Sequence, residues 1–165
     1  MPPVLHAYFA HGVVFEPHLQ NVVVGLDRSG VPAQLFLRDL EGVKLVENAH
    51  LDPPPGLQVT YDAERGWNRV VYCLLVNHVP EVLAAVADRH PGAEPVLWEL
   101  VRDRLADHRR THGDSPQLRA LLSGVPLPAK ANLLTRWQRH ADRLADYVPL
   151  PNPWGAPPLP AAAAR

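Results

Sequence analysis

The chain has 165 residues, 47% hydrophobic and 20% charged, the make-up of one soluble globular domain with enough apolar material to bury a core. A net charge of −1 excludes a general attraction to nucleic acid or anionic membrane, so any affinity for an anion has to be local. The single cysteine, Cys73, excludes an intrachain disulfide and a cysteine-only zinc or iron–sulfur centre, and suits a reduced, cytoplasmic setting.

In chain order, Met1 to Leu5 lacks the basic region and apolar run of a secretory signal. Val4 to Ala10 predicts a short helical turn ending at Gly12. Asn21–Leu26 and Gln34–Arg38 are β-rich runs joined by Asp27-Arg28-Ser29-Gly30, a turn in which Gly30 is free to take positive φ; together they predict a β-hairpin. Val43 to Glu47 predicts a third extended piece, and the three prolines within His50–Gly56 an irregular connection. Asn68–Asn77 reads as a buried helix, with a strand as the alternative; its apolar stretch Val70–Val76 is too short to span a bilayer.

Pro80 suits a first helical turn, with Val79, Val82, Leu83 and Val86 on one face up to His90-Pro91-Gly92. Pro95 opens another helix, with Val96, Leu97, Leu100, Val101 and Leu105 inward, ending near Gly113. Ser115-Pro116 caps a short helix that Gly124 closes. Pro128 starts a last helix with Leu133, Leu134, Trp137, Ala141 and Leu144 as its apolar stripe. Residues 156–165 form a disordered Pro/Ala-rich tail beyond a single domain over residues 1–155. The expected class is α+β, an N-terminal hairpin or small antiparallel sheet packed on a C-terminal set of helices. Of the 9 histidines, His78, His90, His108, His112 and His140 are scattered singly and read as solvated or capping residues.

The informative segment is His11 to Asn21. In an extended chain Glu16, His18 and Gln20 share a face, poor design for a core and sensible for holding a ligand. The hairpin returns Arg38-Asp39 near Asn21. Hard oxygen ligands (Glu16, Asp39, the Asn21 amide) then stand beside phosphate-friendly donors (His18, Gln20, Arg38), the mixture a magnesium–triphosphate needs. An exposed polar strand face with surface ion pairs fits the spacing equally well; such pairs contribute roughly 0–1 kcal/mol.

The string Glu16-Pro17-His18-Leu19-Gln20-Asn21, preceded by His11-Gly12 and followed by Arg38-Asp39 and Gly42, resembles the E-x-H-x-Q-N and R-D signature of the NRPS-independent siderophore synthetases, the IucA/IucC family, in their C-terminal part. Asn77-His78-Val79 is similar to the family's N-H-L segment, Lys130, Leu133 and Arg136 to its K-x-x-L-x-x-R helix, and Asn152-Pro153 to its near-terminal N-P. The resemblance implies an ATP-dependent ligase that adenylates a citrate-type carboxylate and condenses it with an amine or hydroxylamine. By position, His18 is the catalytic residue, contacting α-phosphate and carboxylate. Glu16, Asn21 and Asp39 hold Mg2+, while Gln20 and Arg38 orient phosphates. Lys130 and Arg136 face either an acidic substrate or solvent.

Full synthetases are several times longer, and their upstream region supplies further ATP-binding loops. No G-x-x-x-x-G-K occurs here. The resemblance therefore also allows a non-catalytic module that needs a separate N-terminal chain or forms a homodimer. A third reading, ferric-siderophore reduction, requires several cysteines for a [2Fe–2S] centre, which Cys73 alone does not supply.

Overall fold

The computed structural model describes residues 1–47, 60–141 and 145–154. Helix α1 (Pro2–His11) starts on two prolines, whose fixed φ and missing N–H suit a first turn, and stops at Gly12, left-handed at φ 67°. It buries Val4, Leu5 and Tyr8. Strand β1 (Val13–Val14) follows and pairs antiparallel with β4 (Lys44–Val46), which pairs parallel with β5 (Thr60–Tyr61).

The predicted hairpin is present as β2 (Val22–Leu26) and β3 (Pro32–Leu37). Its turn is held by the Asp27 carboxylate, which accepts from the Ser29 and Val31 amides at 2.8 and 2.9 Å, with Gly30 at φ 79°. Val23 and Val24 point to opposite faces, yet they are 41% and 49% exposed. The ribbon therefore projects from the body with both faces open, and β1–β4 is the sheet that lies on the helices.

Asp62 caps α2 (Ala63–Val71), accepting from the Arg65 amide at 2.7 Å. Instead of ending before Pro80, the helix runs on through a π-helical segment (Tyr72–His78) into α3 (Val79–Arg89). Pro80 cannot donate to the preceding turn, and the wider π turn just before it accommodates that loss. The resulting helix, Ala63–Arg89, is long and apolar enough to cross a membrane by length and composition. This corrects the length read for Val70–Val76 alone. Val70, Val71, Leu74, Leu75 and Val79 nevertheless belong to the protein's own core.

Helix α4 (Glu94–His112) packs against α1 and α3, giving Trp98, Val101 and Leu105 to the core. Val96 and Leu100, expected inward, are 56% and 48% exposed because they lie to one side of that stripe. Ser115 caps α5 (Pro116–Leu122) through the Leu118 amide, and Gly124 follows at φ 88°.

The helix expected from Pro128 begins only at Asn132. Leu127–Lys130 is strand β6, paired antiparallel with β7 (Tyr147–Leu150), Pro128 opposite Pro149. A residue before proline avoids the helical region, so Leu127-Pro128 begins extended. Helix α6 (Asn132–Trp137) is short, and the left-handed Arg139 (φ 59°) follows its end. Its supposed stripe is outward: Leu133 and Trp137 are each 84% exposed, Leu134 56%, and Ala141 is exposed. Leu144, His50–Gly56 and the tail fall outside the described residues.

Asn152 has a structural task. Its amide donates to the Leu121 and Val125 carbonyls at 2.9 and 2.8 Å, while its Oδ1 accepts from the Trp154 amide.

Two of the histidines read as solvated are not. His108 is 4% exposed and neither ring nitrogen has a partner among the described residues; the Nδ1 of half-buried His78 is also buried and unpaired among them. His108 stacks on His112 (centroids 4.4 Å apart), which meets His6 of α1 at 5.3 Å, and His6 meets His11 at 5.5 Å. The packing of α1 on α4 creates this row, which a one-dimensional spacing could not reveal.

Candidate functional site

The segment after β1 is not a plain strand. It turns at Pro17, which is fully buried, and closes in a 3-10 turn, Leu19–Asn21. The turn still directs Glu16, His18 and Gln20 into one cavity of about 480 Å³. Its far wall is the long helix, contributing Arg69, Tyr72, Cys73, Asn77 and Glu81, and its third side is Lys130 and Asn132 at the β6–α6 junction.

Asn21 is 3% exposed and acts as the internal brace of the loop. Its Nδ2 donates to the Glu16 carbonyl at 3.2 Å, which identifies that atom as the amide nitrogen. The same atom lies 3.2 Å from His18 Nε2, so Nε2 accepts and a neutral His18 carries its proton on Nδ1.

Arg69 donates its Nε to Glu16 Oε1 at 2.9 Å and its second guanidinium nitrogen to the same oxygen. Both side chains are mostly buried, at 19% and 16% exposure. Burial pulls the Arg69 pKa down, but the hydrogen bond and charge of Glu16 outweigh it and leave the group raised. Removing one partner of such a pair strands the other's charge.

The second oxygen of Glu16 and Asp39 Oδ2 both lie close to Gly42, although Asp39 is exposed and does not line the cavity. A Cβ on Gly42 would sit 3.6 Å from Glu16 Oε2 and 3.8 Å from Asp39 Oδ2. Asp39 takes a left-handed conformation (φ 60°), which carboxylate and carboxamide residues tolerate best after glycine. Among the described residues no three His, Cys, Asp or Glu side chains gather around one point. A pair of carboxylate oxygens is nevertheless the complement magnesium usually takes from a protein, the remainder being phosphate oxygens and water. Glu16 and Asp39 thus fit a hard divalent ion. Asn21 lies beside them, with its amide nitrogen already engaged.

Arg38 is exposed and is not among the cavity's lining residues; its backbone amide donates to the Asn21 carbonyl at 2.8 Å, tying the hairpin base to the loop. Lys130 sits on a strand, not on the helix that its spacing with Leu133 and Arg136 suggested.

Sequence reasoning missed Arg69, Tyr72, Cys73 and Glu81 as cavity residues, and quoted Asn77 without a role. A signal was there: Arg69, Cys73, Asn77 and Glu81 recur every fourth position, interrupting an apolar run on one helical face. Burial pushes the Cys73 thiol up to about 11, Arg69 opposing it only in part, so the thiol is protonated at neutral pH and not a ready nucleophile.

The family model described as "Ferric iron reductase FhuF-like transporter" matches residues 1–145. The chain is 28% identical over 165 residues to L-2,3-diaminopropanoate–citrate ligase of Staphylococcus aureus (strain NCTC 8325 / PS 47), covering 92% of this chain and 28% of that protein. It is 30% identical over 122 residues to putrebactin synthase of Shewanella sp. (strain MR-4), covering 72% and 19%. In fold it is similar to the aerobactin synthetase IucA from a hypervirulent pathotype of Klebsiella pneumoniae, with TM-score 0.78, 24% identity, and coverage of 94% of this chain and 28% of that one. The ATP-bound form of that synthetase gives TM-score 0.75. The chain spans less than a third of the length of these proteins.

Proposed function

Because this chain belongs to the FhuF-like family, as the domain found at the C-terminus of IucA/IucC siderophore synthetases, we propose that it is the part of an ATP-dependent citrate–amine ligase that grips the nucleotide's phosphates and the carboxylate to be activated. The observation carrying this reading is the convergence of Glu16, His18 and Gln20 on one cavity, with the second Glu16 oxygen and Asp39 both beside Gly42.

In the reaction so assigned, a carboxylate oxygen of a citrate-type acid attacks the α-phosphorus and pyrophosphate leaves. An amine or hydroxylamine nitrogen then displaces AMP from the acyl carbon, losing a proton. A magnesium ion, when bound, neutralises phosphate charge. Glu16 and Asp39 would hold it, with Asn21 alongside. Asn21 also fixes the His18 ring so that Nδ1–H is presented to the α-phosphate and the incoming carboxylate. Gln20 adds a donor from the same loop, while Arg38, outside the cavity lining, ties the hairpin base to that loop through its backbone. The reading places the protein in the cytoplasm, where ATP and a free thiol coexist.

Calorimetric titration of Mg-ATP into the purified chain tests this, beside His18→Ala and Asp39→Asn. The latter keeps the left-handed backbone comfortable. The expected result is measurable binding, weakened about tenfold in each variant, the size of a lost charged contact. Binding unaltered in both variants would sink the site. A second reading is a module whose nucleotide site is completed by a separate N-terminal polypeptide or by a second copy. Under it the chain alone takes up no nucleotide.

A further inference from the structure

Tyr72 and Asn132 meet in the wall of the cavity, one at the start of the π turn and the other where β6 passes into α6. Asn132 Nδ2 donates to the Tyr72 hydroxyl oxygen at 3.2 Å. That leaves the Tyr72 proton to donate, and Asn132 Oδ1, which is buried without a partner among the described residues, to accept. Turning the amide over reverses the bond between the two side chains and still leaves one donor and one acceptor. A buried polar atom without a partner is costly, and a ligand that supplies one recovers the loss. The single group that answers both side chains is a hydroxyl, which accepts one hydrogen bond and donates another. Both side chains are held in place. The Tyr72 ring meets Tyr147 edge-on, centroids 6.2 Å apart, and the start of α6 is tied down by buried Thr135, whose hydroxyl donates to the Ala131 carbonyl at 2.9 Å. The surroundings suit an acid rather than an amine. Arg69 and Lys130 line the same cavity, and the charge of both reaches the thiol of Cys73, the chain neighbour of Tyr72.

Resting on the ligase reading, we propose that Tyr72 and Asn132 are specificity-determining residues that bind a hydroxyl of the carboxylic acid substrate, so that the site selects a hydroxylated polycarboxylate over the same acid without its hydroxyl. Tyr72 donates to the hydroxyl oxygen, and the hydroxyl donates to Asn132 Oδ1. An acid lacking that group forms neither hydrogen bond and leaves Asn132 Oδ1 buried and unpaired. Holding the hydroxyl also fixes the rotation of the acid, and with it which carboxylate is presented for activation.

The test is calorimetric titration of citrate, and separately of tricarballylate, its analogue lacking the hydroxyl, into the full chain. Each titration is run with a non-hydrolysable ATP analogue and with free magnesium held equal, since citrate itself binds the metal. The native protein is compared with Tyr72→Phe, Asn132→Leu and the exposed Glu99→Gln. Citrate is expected to bind at least about tenfold more tightly than tricarballylate. Tyr72→Phe and Asn132→Leu bring that ratio close to parity by weakening citrate, and Glu99→Gln leaves it unchanged. A merely structural loss lowers both affinities together and keeps the ratio. Equal binding of the two acids by the native protein overturns the proposal, as does a ratio preserved in either variant, or acid uptake that is absent altogether. Uptake of the nucleotide analogue is read separately on the same preparation. Normal nucleotide binding without hydroxyl discrimination removes this proposal and leaves the ligase reading standing; absent nucleotide binding counts against the nucleotide site itself.

Discussion

His108 shows how much one side chain depends on its neighbours. Burial, then the proximity of His112 and His6, lowers its pKa from the ordinary 6.5. Phe9 of α1 meets the same ring at 5.9 Å between centroids, and His6 in turn meets His11. A depressed histidine stays neutral in the fold while the unfolded chain accepts the proton. Stability is therefore greatest above about 6.5 and falls as pH drops through that value, at up to about 1.4 kcal/mol per pH unit, until the folded group itself titrates. Urea unfolding midpoints at pH 7.5 and 5.5 should differ, and His108→Leu should shrink the difference; an unchanged gap would point to other groups. At this scale the sequence was legible where residues are neighbours in the chain. Glu16, His18 and Gln20 share a cavity as their alternation suggested, although a 3-10 turn, not a strand, delivers Gln20. Arg69 and His108 were illegible because their surroundings come from segments roughly fifty and a hundred residues away.

Between elements, the tightest fit is α2 against the β1–β4 sheet. Gly66 is buried, and a Cβ there would lie 2.9 Å from Val46 Cγ2, 3.3 Å from Val14 Cγ2 and 3.5 Å from Tyr8 Cε2. In an open helix Gly→Ala gains about 1 kcal/mol from propensity. Here the clash reverses the sign, and Gly66→Ala is expected to cost about 1–3 kcal/mol in thermal unfolding. A rise in melting temperature would refute that. This contact fixes where α2 crosses the sheet, and with it the reach of Arg69 to Glu16. Element types were readable where local chemistry decided them, as with Gly12, Asp27-Gly30 and Ser115-Pro116. Proline was ambiguous. Pro80 lies within a continuous helix because a π turn precedes it, whereas Pro128 begins a strand because β7 supplies a partner that the sequence pattern did not announce.

For the molecule as a whole, α+β was predictable from the change of period after Trp67. What sequence could not convey was the uneven distribution of packing. Helices α1 to α5, β1 and Leu127 share one core, while the hairpin stands outside it except for Leu37 at its base. A two-stranded ribbon without a covered face is marginal by itself in water.

That ribbon also bears on how the protein behaves at high concentration. Val22–Leu26 and Pro32–Leu37 contain no charged residue, and among the described residues no third strand pairs with the outer edge of β2 or β3. Chains crowded together can satisfy those edges on one another, the first step of disordered aggregation. Phe36→Lys and Val24→Lys are expected to raise the concentration at which light scattering begins, without moving the unfolding midpoint, since neither side chain is part of the core. An onset that stays put would exonerate the hairpin.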